Sequence, residues 1–102
     1  FGTASQLQSL LKLVPQTVEV VVFRMGRVPH MDQSGLYAID GVVNALQTRG
    51  VTVLLTGLNE QPRDQFERVN VIPDQIPEEH IFANFKECLL WIKTHVNNME
   101  KV

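Results

Sequence analysis

The side chains able to serve as ligands, bases or nucleophiles are few and scattered. His30, His80 and His95 are far apart, and none has a second His or a Cys at the short spacing of a metal site. Cys88 is the single cysteine. A nucleophilic role would require an adjacent base and an accessible thiolate, but Cys88 falls with Phe85, Leu89, Ile92 and Val96 on one apolar helical face, where burial is expected. The chain holds no Gly-x-Ser-x-Gly elbow, no phosphate-binding glycine loop and no dinucleotide fingerprint. Trp91 and Phe85 read as core or core-edge residues rather than a stacking surface. Catalysis has no visible apparatus.

One segment remains, His30-Met31-Asp32-Gln33-Ser34-Gly35-Leu36. Asp32 or Ser34 can cap a helix by accepting from its free N–H groups, and Gly35 permits a tight turn. The same free N–H groups favour an anion, either a phosphate of a ligand or a phosphate attached to Ser34. The Asp32 carboxylate would oppose such an anion while attracting a cation or a basic partner.

The elements that must position this loop follow from periodicity. Leu7, Leu10, Leu11 and Val14 predict a helix from Ser5 to Val14, closed by Pro15. Val18 to Phe23 is almost continuously apolar and β-branched, as in a central strand covered on both faces. After Ser34, the residues Leu36, Ile39, Val42, Val43 and Leu46 line one side of a helix ending at Gly50, and Val51 to Leu55 forms the next strand. Strand, crossover helix and strand make a right-handed parallel unit, so the fold is α/β. The loop thus lies at the carboxyl end of a strand, where ligands and partners gather in open α/β sheets. A short exposed helix should open within Asn59-Glu60-Gln61-Pro62, which offers a cap and an early-helix proline, with Phe66 and Val69 as its apolar stripe. An irregular connection from Ile72 to Pro77 and a very short strand at His80-Ile81-Phe82 come next. A final helix begins at Asn84, with Glu87 completing a capping-box pattern. The tail 97–102 is polar and should fray.

A chain of 102 residues with 44% hydrophobic content can bury one modest core, so residues 1–96 are read as a single domain. Nine basic against eleven acidic residues, with no basic run, argue against nucleic acid as a partner. A lone cysteine fits a reducing compartment, and no apolar run reaches the length of about 20 residues that spans a bilayer. Two strands and a short third are few for a parallel sheet, which leaves an apolar edge open to a further pair of strands or to a homodimer.

The run Val28-Pro29-His30-Met31-Asp32-Gln33-Ser34-Gly35-Leu36 resembles the signature of STAS domains, named for sulfate transporters and anti-sigma factor antagonists. Arg49-Gly50-Val51-Thr52-Val53-Leu54-Leu55, Gly57-Leu58 and Glu79-His80-Ile81-Phe82 extend the likeness to nearly the whole chain. Two branches of that family differ in setting. Phe1-Gly2-Thr3-Ala4 and the run from Asn59 to Val69 look like the domain that SulP anion transporters carry as a cytoplasmic C-terminal extension. The resemblance implies a STAS-like α/β fold entered without the family's usual N-terminal β-hairpin, at the cytoplasmic face of the inner membrane as part of an integral membrane protein. It implies no enzyme activity. The loop Met31, Asp32, Gln33, Ser34 and Gly35 would contact the transporter's own transmembrane domain or a regulatory protein. Stand-alone anti-sigma factor antagonists, the alternative, are phosphorylated at the position matching Ser34. Gln33 stands where a small residue is common and would obstruct a kinase. No cofactor is implied, and nucleotide binding stays open.

Overall fold

A computed structural model describes residue 9 and residues 11–95 of the chain. Ser9 and residues 11–13 are helical; most of the helix expected from Ser5 to Val14 lies outside the described residues, as do Val96 and the tail. Three parallel strands form one sheet in the order β1 (Val20–Arg24), β2 (Thr52–Thr56), β3 (Ile81–Phe82). The helix α1 (Gln33–Thr48) links β1 to β2, α2 (Glu60–Arg68) follows β2, and α3 (Phe85–His95) follows β3.

The crossover helix α1 is the part whose pattern is clearest in space. Leu36, Ile39, Val42, Val43 and Leu46 are all buried, as their spacing requires, each large side chain contributing about 1.5–3 kcal/mol of transfer free energy. Its end is closed by a Schellman motif. The Val51 N–H donates to the Leu46 carbonyl (3.0 Å) and the Gly50 N–H to that of Gln47 (2.9 Å), with Gly50 at a φ of 83°. This closure uses Val51, so β2 begins one residue later than the apolar run suggests.

β1 departs from expectation. It is an edge strand among the described residues, with Val20 to Phe23 only half-buried, and β2 is the middle strand, buried from Val53 to Thr56. A continuous apolar run reports that a segment suits a sheet; it does not say which strands flank it. In α2 the inward face is formed by Pro62 and Phe66, one turn apart, whereas Val69 lies past the helix end and is exposed.

The connection that follows is a single π-type turn (Val71–Gln75) containing a cis Ile72–Pro73 bond, then a 3₁₀ turn (Glu78–His80). Val71, Ile72 and Ile76 still enter the core. Gln75 anchors this stretch to α1, accepting from Gln47 Nε2 at its carbonyl (2.7 Å) and donating to Asp40 Oδ1 (2.9 Å). At α3 the Glu87 N–H donates to Asn84 Oδ1 (2.9 Å), the cap expected there. Cys88 is buried, but Leu89 and Leu90 are exposed. The expected inward role of Leu89 fails because α3 meets the sheet at β2 and the two-residue β3, and neither covers Leu89.

Candidate functional site

The loop from Met25 to Asp32 leaves the carboxyl end of β1 at the side of β2. Its first step stays tied to the sheet, since the Met25 N–H donates to the Thr56 carbonyl (2.8 Å) and Met25 is fully buried. Beyond that, two amide side chains from the start of α2 hold the loop. Asn59 Nδ2 lies 3.0 Å from the Val28 carbonyl, with those of Gly26 and Met25 at 3.3 and 3.4 Å. Gln61 closes on Met31 from both sides, accepting from its N–H at 2.8 Å and donating to its carbonyl at 3.0 Å. A side-chain amide is suited to this because it carries a donor and an acceptor side by side, as a peptide group does.

Met31 is buried at 4% exposure, whereas Asp32, Gln33 and Ser34 are exposed. The cap is Asp32, with Oδ1 accepting from the Gly35 N–H at 2.8 Å and extended backbone at φ −86°. Ser34 does not cap; it is the second residue of α1 and presents its side chain outward. A Cβ on Gly35 would sit 3.2 Å from Met31 Cγ, so the missing side chain lets the buried Met31 lie against the helix start. The five loop residues expected to act together are therefore contiguous in space. They comprise a buried anchor (Met31), a cap (Asp32), two exposed side chains (Gln33, Ser34) and a close-approach glycine (Gly35). The Asp32 carboxylate already occupies the electropositive helix start, which makes this end of α1 a poor seat for a second anion.

The groups considered for chemistry lie elsewhere. Cys88 is 0% exposed and burial pushes its thiol up, away from a reactive thiolate. His30 is exposed on the loop. His80 and His95, distant in sequence, both meet Trp91, with ring centroids 5.2 Å away edge-on and 4.2 Å away stacked. Burial holds the His80 imidazole below its ordinary value of 6.5, an effect Glu79 opposes and His95 reinforces. Among the described residues no group of three or more His, Cys, Asp or Glu side chains is placed to hold a metal, and no helix is long and apolar enough to cross a membrane.

Asn59 and Gln61 escape a local reading, in which they are a helix cap and a first-turn residue. The Asn59 side chain makes no capping bond, although its carbonyl accepts from the Arg63 N–H (3.0 Å). The signal that points to them is topological, because the carboxyl ends of adjacent parallel strands bring their following loops side by side. Polar residues just after β2 are thus within reach of the loop after β1.

The STAS domain family model matches residues 1–88. The crystal structure of a sulfate transporter family protein from Wolinella succinogenes superposes with a TM-score of 0.81 at 28% identity, over 92% of this chain and 76% of that one. The STAS domain of a SulP transporter from Vibrio cholerae gives a TM-score of 0.78 at 20% identity, over 93% and 73% of the two chains. No curated protein matches the chain. The small parallel sheet with its helices is the STAS fold, and on the family match the chain belongs to the STAS domain family.

Proposed function

We propose that this STAS domain is a non-catalytic regulatory module of a SulP-type anion transporter, acting at the cytoplasmic face of the inner membrane through the loop Met31 to Gly35. The observation that carries the reading is the construction of that loop. Its base is fixed by Asn59 and Gln61 and its anchor Met31 is buried, while Asp32, Gln33 and Ser34 face outward. A surface held this firmly loses little conformational entropy on docking. The mechanism is differential contact, in which the loop meets one conformation of the transmembrane domain better than another and shifts their populations by the difference. The structural likeness to a sulfate transporter family protein and to a SulP transporter STAS domain supports the transporter setting.

The exposure of Ser34 keeps a second reading in view, an anti-sigma factor antagonist switched by phosphorylation of that hydroxyl. A phosphate there would gain from the helix start but stand beside the Asp32 carboxylate. The reading frame upstream of Phe1 separates the two. Successive apolar segments of about 20 residues each support the transporter, and an initiator Met one hairpin upstream overturns it.

A further inference from the structure

The start of α1 is filled by a carboxylate, but a second site at the same end of the sheet has the opposite character. A cleft of about 490 Å³ lies between the carboxyl ends of β1 and β2 and the start of α3, lined by Arg24, Arg27, Thr56, Asn84, Phe85 and the backbone of Gly26 and Gly57. We propose that this cleft binds a tetrahedral oxyanion, either free or as the phosphate of a small ester, between the guanidinium groups of Arg24 and Arg27.

Four observations converge on it. No carboxylate lines the cleft, and both ion pairs among the described residues use Arg63, leaving Arg24 and Arg27 without an acidic partner there. The Arg24 guanidinium lies 4.4 Å from the centroid of the Phe85 ring, which holds its planar fork in place while its N–H groups remain available to an acceptor. Thr56, only 3% exposed, contributes a wall residue whose hydroxyl enters no side-chain hydrogen bond among the described residues. Finally, α3 begins at the cleft. Asn84 caps one N–H, that of Glu87, so the N–H groups of Phe85 and Lys86 are left without helical partners.

Backbone packing keeps the space open. Gly57 has a φ of 65°, and a Cβ there would come within 3.2 Å of Gly26 Cα, so the two loops touch through main chain alone. The volume falls in the range of small-molecule sites, about 300–1,000 Å³, and leaves room for an organic group on the phosphate. The recognition chemistry is guanidinium to oxyanion, paired hydrogen bonds with charge on both partners. Gly26 and Arg27 lie early in the loop that ends at Asp32, but the cleft shares no residue with Met31 to Gly35 and does not depend on their role.

The test is an NMR titration of the ¹⁵N-labelled chain with sodium sulfate, sodium phosphate and glycerol 3-phosphate, each at constant ionic strength against sodium chloride. Saturable shifts confined to the amides of Gly26, Gly57, Phe85 and Lys86 are expected with at least one of the three, and the pattern distinguishes a free oxyanion from an ester. Arg27→Gln, an exposed position, should retain the native spectrum and weaken binding by about tenfold or more, the effect of losing a charge-assisted hydrogen bond. Non-saturable shifts, shifts equal to those of chloride, or unchanged affinity in Arg27→Gln and in Arg24→Gln alike would overturn the proposal.

Discussion

Replacing Gln61 by Leu removes both side-chain bonds to Met31 while preserving most of the volume of the residue and its helix propensity. The two bonds, 2.8 and 3.0 Å long, span thirty residues of sequence and are part-buried. A neutral hydrogen bond contributes about 0.5–1.5 kcal/mol net, so the pair accounts for about 1–3 kcal/mol. Water reaches part-buried groups and replaces some of the loss, which places the expected cost in the lower half, about 1–2 kcal/mol. For a domain of this size that is a fall in Tm of about 4–15 °C. Urea denaturation should show a lower midpoint with an unchanged m-value, and the Met31 amide should exchange about 5–30 times faster in native conditions. Asp64→Asn on the exposed side of α2 is the control and should leave both readings in place. If Gln61→Leu matches that control in stability and in Met31 exchange, Gln61 does not hold the loop and the account of its construction is wrong.

Three further outcomes follow from the same geometry. Asp32→Ala should cost about 1 kcal/mol, the value of an N-cap, measurable by urea denaturation, while Asp32→Asn or Asp32→Ser should recover most of it; a full cost in all three would point to a role other than capping. Gly57→Ala should destabilise by about 1–3 kcal/mol, because φ is positive and the new Cβ meets the backbone of Gly26; a neutral result in thermal melts would contradict that contact. His80 is held below 6.5 in the folded chain, so the unfolded chain binds more protons as the pH falls. Stability should therefore be undiminished by this group above about pH 6.5 and decline from there down to the folded midpoint, an effect softened by its partial exposure. An NMR titration placing the His80 midpoint at or above 6.5 would refute the cause.

How much was legible in the sequence depended on whether the determinant was local. α1 was readable because five apolar residues at helical spacing can satisfy only one face, and all five are buried. The Asp32 loop was readable for the same reason, since an N-cap is chosen within three residues of itself. Sequence alone left Asp32 and Ser34 as rival caps, and the structure selects Asp32. The edge position of β1 and the exposure of Leu89 were not legible, because neither is a property of the segment that carries it. Asn59 and Gln61 depend on strand adjacency, and so do Arg24 and Arg27. Their positions in sequence look like unremarkable loop and strand ends, and only the parallel register sets them opposite Thr56 and the start of α3.

The most direct test of the regulatory reading is anion uptake by the full-length carrier with Ser34→Glu, a substitution at an exposed position that disturbs no packing. At equal membrane expression, transport should be altered, and Gln61→Leu should shift it as well by loosening the loop. Uptake identical to that of the unaltered carrier in both variants would contradict a regulatory role for the loop Met31 to Gly35.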